Sequence, residues 1–209
     1  MKLDLENGTF LAKIIATFII QLMITFGVME YGKNKQITLD FLPLIMCVVG
    51  IIVLMIIIIG SSFSVHVKFM FFCLFSVLFG FILSSDMVKS KITDENIKRA
   101  LFSTVAIFLS MFILGLFLTI SGYDLSKVGI VLFVCLSVLL IFQFVNIFVP
   151  VSESTYIVWN YLGLLLFSFY VIFDINQILV HRPFGDDYVA SSLGIYLDFI
   201  NIFTRIKKN

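Results

Sequence analysis

Charge is scarce in this sequence: Asp, Glu, Lys and Arg make up 13% of its 209 residues, about half the share usual in a soluble domain. What charge there is nearly cancels, to +1, which offers no basic surface for a nucleic acid. Cysteine is also sparse. Cys47, Cys73 and Cys135 each sit inside an apolar run, with no CxxC pattern and no histidine pair nearby. They are expected to be buried in apolar packing, and they say nothing about redox compartment. Internal repeats and low-complexity linkers are missing, and the length leaves no room for a second, soluble domain.

What is present is apolar. Hydrophobic residues reach 61% against a usual 45–50%. Runs of about 20 apolar residues recur, the length a helix needs to cross ~30 Å of hydrocarbon. The chain is therefore read as an all-α polytopic membrane protein, a single transmembrane helical domain over 1–209. Spans are expected at about 11–29, 41–60, 69–85, 101–120, 128–149, 156–180 and 187–205. Residues 1–9 read as a short polar leader. The first apolar run ends on Glu30 and not on a small-residue cleavage site, so it is expected to be retained as a span. Pro150 is expected to stop span five.

The seventh segment is long enough to cross but more polar than the other six, so it is either a true span or half of a re-entrant hairpin. Lysine and arginine counts follow that choice. Seven crossings divide the basic residues five against nine and put the amino terminus outside. Six crossings plus a hairpin divide them eight against six and put both ends inside.

The last fifty residues carry the polar side chains that such a protein can least easily bury. Asn160, Gly163, Phe167, Tyr170, Asp174, Gln177 and His181 follow one another at steps of three and four, as do Asp187, Ser191, Gly194, Asp198, Asn201 and Arg205. That spacing places each set on one helix face. A carboxylate near the bilayer centre costs roughly 2.5–3.5 kcal/mol even on the lenient insertion scale, so these faces should meet each other or water, not lipid. Asp174 and Asp198 are the only acids well inside an apolar stretch. With a bend near residue 184 their depths differ by only about 6 Å. Neighbouring carboxylates in a poorly hydrated site resist double ionisation, so the pair is expected to share a proton at mildly acidic pH and to become dianionic when it leaves. The dianion attracts a divalent cation. Calcium takes six to eight oxygens, and two carboxylates with Asn160, Tyr170, Asn201 and water provide a transient stopping point, not a store.

The remaining polar residues have plainer readings. Arg205 is expected to snorkel to the interface. His181 is expected to be solvated at the mouth of the hairpin. Gln21, Gln143 and Asn146 are expected to hydrogen-bond between helices. With no basic residue inside spans one to six away from their edges, pairing of the two acids by Lys or Arg is disfavoured.

Three stretches resemble the carboxy-terminal signature of the transmembrane Bax inhibitor motif family: Phe173-Asp174-Ile175, Asp186-Asp187-Tyr188-Val189-Ala190-Ser191-Ser192-Leu193, and Tyr196-Leu197-Asp198-Phe199-Ile200-Asn201-Ile202-Phe203. Phe10-Leu11-Ala12-Lys13 and Gln21-Leu22-Met23-Ile24-Thr25-Phe26 are similar to the first span of its Lifeguard and Golgi anti-apoptotic branch. The resemblance implies a seven-helix bundle with the C-terminal helix central. It implies a pH-sensitive calcium leak gated by a di-aspartyl sensor, matched here by Asp174 and Asp198, and protection against cell death. It also implies a membrane of the endoplasmic reticulum or Golgi in a eukaryotic or viral setting, or the plasma membrane in a bacterium. Calcium ions, protons, membrane lipids and Bcl-2-family or other cell-death regulators are the partners it points to, with no cofactor. Two departures stand out. The arginine latch that some members carry in span two has no counterpart in the uncharged 41–60, and the acidic residue many carry in span three is replaced in Phe75-Ser76-Val77-Leu78-Phe79-Gly80.

Two other classes also use membrane aspartates. An intramembrane aspartyl protease needs a Gly-x-Gly-Asp motif, whereas Asp198 follows Ile195-Tyr196-Leu197, and no Pro-Ala-Leu motif occurs. An enzyme is therefore not expected. A non-conducting scaffold that binds apoptosis regulators would keep the aspartates as architecture.

Overall fold

Inside hydrocarbon, backbone N–H and C=O groups find no partner but each other, and an α-helix satisfies them locally. A computed structural model describes residues 5–149 and 151–207, and the apolar runs are helical throughout. The helices are α1 Leu5–Asn34, α2 Phe41–Gly60, α3 Val65–Lys89, α4 Asp94–Ile120, α5 Ser126–Phe148, α6 Glu153–Val180 and α7 Tyr188–Ile206. All seven are long and apolar enough to cross a membrane. No strand occurs among the described residues. At ~1.5 Å per residue α7 reaches about 28 Å, a full crossing by length. It is also the best covered, with 67% of its most apolar window buried against 11% for α5.

Most helices overrun the apolar runs that announce them. α1 begins inside the expected polar leader, and α3 and α4 together take up most of the expected loop 86–100. Polar end turns extend each helix past the hydrocarbon, where water and headgroups tolerate them. Pro150, expected to stop span five, lies outside the described residues, as do Lys2 and Lys208 of the charge balance. Cys47 and Cys73 are half-buried and Cys135 is exposed, so none of the three is as fully buried as expected.

The chain forms two compact units. One holds α1, α2, α3 and residues 184–196, which include the first part of α7. There α1 packs on α3, and α3 on α2. Ser76 Oγ donates to Gln21 Oε1 at 2.8 Å, and Gln21 Nε2 reaches Cys73 Sγ at 3.6 Å. This is the interhelical role expected of Gln21. Thr25 Oγ1 bonds the Tyr196 hydroxyl at 2.6 Å, and the fully buried Tyr196 ring meets Phe72, Phe75 and Phe79 edge-on. Gly80 allows the close approach of α3 to α1. A Cβ there would stand 2.7 Å from both the Thr25 carbonyl oxygen and Val28 Cβ. Because one of those atoms is backbone, Gly80→Ala is expected to force the helices apart and lower stability by about 1–3 kcal/mol, read as the unfolding midpoint in detergent.

The other unit holds α4, from Glu95 onward, with α5, α6 and the rest of α7. α5 packs on α6. Gly115 of α4 lies against α6, where an added Cβ would stand 3.1 Å from the Ile172 carbonyl oxygen. Phe108 meets Phe199 edge-on at 5.4 Å between ring centroids. Both Asp174 and Asp198 belong to this unit.

Candidate ion site and its polar neighbours

Asp174 is half-buried on α6 and Asp198 is 5% exposed on α7. Asp174 and Asp198 lie within electrostatic reach of one another, and Tyr170 within reach of both. Asp198 Oδ2 is buried with no hydrogen-bond partner among the described residues. No Lys or Arg pairs with either carboxylate there, so neither acid is held by a guanidinium or ammonium group. An acid oxygen withdrawn from water and left unbonded is costly, by about 1–3 kcal/mol for a polar group and more for a charge. Protonation of the carboxyl or the approach of a cation lowers that cost.

The other residues on the two polar stripes go to three different places. Tyr170 stays with the acids, its ring near those of Phe167 and Phe173. Gln177 and His181, one and two turns further along α6, join the loop before α5. His181 Nε2 contacts Ser126 Oγ at 2.7 Å and Asp124 Oδ1 at 3.1 Å, and Gln177 Nε2 donates to Ser126 Oγ at 3.3 Å. His181 is exposed, in keeping with its expected solvation, but it is also bonded. Asp124 accepts from the Ser126 hydroxyl at 2.5 Å and from its N–H at 2.9 Å. Those two bonds, then the one from His181, lower its pKa to about 2. This carboxylate is therefore ionised throughout the physiological range and does not respond to pH there.

Buried Asn176, which the sequence reading passed over, clamps the same loop. It donates to Thr119 Oγ1 and the Tyr123 carbonyl and accepts from Leu125 N–H. Helical spacing from Asp174 did not flag it, because a step of two turns the helix by about 200° and puts it on nearly the opposite face.

In the first unit Asp187 pairs with Lys68 at 2.7 Å, with side-chain exposures of 16% and 7%. Its other oxygen caps α7, accepting from Val189 and Ala190 N–H. Ser191 turns back to the Asp187 carbonyl. By the expected spans, 41–60 and 69–85, Lys68 falls just outside span three. It is instead a buried residue in the first turn of α3, and its partner is more than a hundred residues away in sequence.

Arg205 corrects another expectation. It does not snorkel outward but folds back on α6. A Cβ at Gly163 would fall on its guanidinium, and the group lies 5.4 Å from the Phe167 ring centroid. Phe167, the apolar exception in the α6 stripe, is thus an aromatic face for a cation. Asn160 donates to the Arg205 carbonyl at 2.9 Å, and Asn201 donates back to Leu197. Both asparagines line a cavity with Arg205. Of the oxygens expected around a calcium ion, Tyr170 is the one whose interactions tie it to both acids.

Seven helices, each long and apolar enough to cross a membrane, define an integral membrane protein, and its α4–α7 unit holds one buried and one half-buried acid that no Lys or Arg pairs among the described residues. Residues 7–208 match the family model described as Bax1-I, inhibitor of apoptosis-promoting Bax1, and the chain belongs to that family. It is 32% identical over 146 residues to Bax inhibitor 1 of Schizosaccharomyces pombe, covering 70% of this chain and 53% of that protein. It is 31% identical over 134 residues to the Golgi anti-apoptotic protein of Vaccinia virus (strain Lister), covering 62% and 54%. Protein LIFEGUARD 4 of Arabidopsis thaliana is 28% identical over 114 residues, covering 54% and 46%. The matched regions span about half the length of these relatives.

Proposed function

We propose that this chain is a pH-sensitive calcium leak of an intracellular membrane and that it restrains cell death by lowering the calcium held in stores. The observation that carries the reading is the buried, unbonded Asp198 oxygen within the field of Asp174. Two acids placed in this way share one proton at mildly acidic pH. When the proton leaves, the site becomes a doubly negative, poorly hydrated point on the α6 and α7 surfaces. A divalent cation is attracted there but finds too few protein oxygens to stay. No catalytic step is part of this reading. The role in cell death rests on the names of the relatives, one a Bax inhibitor and another a Golgi anti-apoptotic protein.

Those names concern cell death and not ion transport, which favours a second reading: a non-conducting scaffold that binds cell-death regulators. Purified protein reconstituted in calcium-loaded liposomes separates the two. The leak gives calcium efflux that changes between about pH 5 and pH 8. A scaffold gives no efflux beyond that of empty liposomes at any pH, and it binds its partners whether or not the aspartates are neutralised.

A further inference from the structure

The ends of three helices of the α4–α7 unit enclose a cavity of about 500 Å³. Gln143 and Asn146 come from the end of α5, Trp159 and Asn160 from the start of α6, and Asn201 and Arg205 from the end of α7. A second hollow of about 490 Å³ shares Leu139 and Trp159 with it and continues along the seam of α5 and α6. Its walls are apolar, and Val134, Val138, Leu162, Leu165 and Phe169 in it are each about half exposed. In a membrane that exposure faces acyl chains.

The two hollows differ in chemistry in the order that a lipid does. Helix ends lie at headgroup level, and the polar cavity is made of helix ends. Asn160 to Phe169 is nine residues of helix, about 14 Å, close to half the ~30 Å hydrocarbon thickness. Arg205 lines the polar cavity, and its Nε is buried with no hydrogen-bond partner among the described residues. No carboxylate pairs with Arg205 among the described residues. The nearest acid on its own helix, Asp198, is two turns away, about 10 Å. Asn146 accepts from Val151 N–H through Oδ1, which leaves its NH₂ group as a donor. A guanidinium fork with amide donors beside it matches the oxygens of a phosphate. A positive head pocket that opens onto an apolar groove fits one molecule with both properties.

We propose that this is a binding site for an anionic phospholipid, its phosphate held by Arg205 with the amides of Asn146 and Gln143, and one acyl chain lying along the α5–α6 groove. The site is separate from the acid pair and does not depend on whether the chain conducts calcium. Occupancy also gives Arg205 the counter-charge that no carboxylate supplies among the described residues.

Trp159, the one tryptophan of the chain, lines both hollows and reports on them directly. The full chain is placed in nanodiscs of phosphatidylcholine with a minority of phosphatidylglycerol, and bromine is carried on the acyl chains of one lipid or the other. Bromine quenches tryptophan on contact. A lipid annulus without preference quenches in proportion to the mole fraction of the brominated species. The site predicts that brominated phosphatidylglycerol is enriched at Trp159 about fivefold, the factor for one basic residue meeting an anionic lipid. Arg205→Gln removes the enrichment and Arg205→Lys keeps part of it. Val138→Phe, at a half-exposed groove position, reduces quenching by the anionic lipid without touching the polar pocket, and so serves if Arg205→Gln does not fold. Equal quenching by the two headgroups in the wild type overturns the proposal. So does relief of the phosphatidylglycerol signal by excess inorganic phosphate, which assigns the pocket to a soluble anion. Weak quenching by both lipids, the sign of a second copy covering Trp159, also overturns it.

Discussion

Liposomes holding the Asp198→Asn variant are expected to lose calcium at least about tenfold more slowly than wild type near pH 8, with a rate that no longer depends on pH. The magnitude follows from electrostatics. A carboxylate about 4 Å from a unit positive charge contributes roughly 4 kcal/mol at an effective dielectric of ~20, and a divalent ion doubles it. A third of the smaller figure already changes a rate by a factor of ten. Asn keeps the shape and one acceptor oxygen, so the loss reports charge and not a cavity. Asp174→Asn should behave similarly but less severely, since Asp174 is half-buried and Asp198 is almost fully withdrawn from solvent. Fluorescent calcium indicators outside the liposomes provide the measurement. Unchanged, pH-dependent efflux in both variants would remove the acids from the ion path.

The second large effect concerns stability and the other unit. Lys68→Met is expected to destabilise the protein by about 3–5 kcal/mol, because it strands Asp187 in a site only 16% exposed. Asp187→Asn added to that variant should restore most of the loss. Asn removes the unpaired charge but still offers a side-chain oxygen to Val189 and Ala190 N–H, so the cap on α7 survives. A double-mutant cycle on unfolding midpoints in one detergent tests this. Additive losses in the double variant would show that Lys68 acts through packing of its stem and not through its charge.

How much of this was legible beforehand depends on how far each signal reaches along the chain. The seven spans were plain, since about twenty apolar residues in a row have one stable form in lipid. Their ends were not, because hydropathy marks the bilayer and not the helix. The polar turns at 86–89 and 94–100 are helical all the same. Spacing of three and four put Asp174 and Asp198 on the polar stripes of α6 and α7, and the two groups lie within electrostatic reach of one another. The same spacing overstated the unity of the stripe. One face of a long helix passes several neighbours, so Gln177 and His181 meet the Asp124 loop while Asn160 meets Arg205. Lys68 fell just outside the expected span three and Arg205 was read as an interface residue, because their partners, Asp187 for one and Gly163 with Phe167 for the other, are distant in sequence. In hindsight a glycine and a phenylalanine four apart on a polar stripe mark a bed for a long cation, a signal visible only once the facing helix is known.

The proposal that Asp174 and Asp198 share a proton is tested most directly by an infrared pH titration of the reconstituted protein, wild type against the Asp174→Asn/Asp198→Asn double variant. The difference spectrum should contain one protonated carboxyl band near pH 5 that fades as the pH rises to about 8, in step with the change in calcium efflux. A wild type whose carboxyl groups are all ionised at about pH 5, or a band that persists in the double variant, would contradict the account.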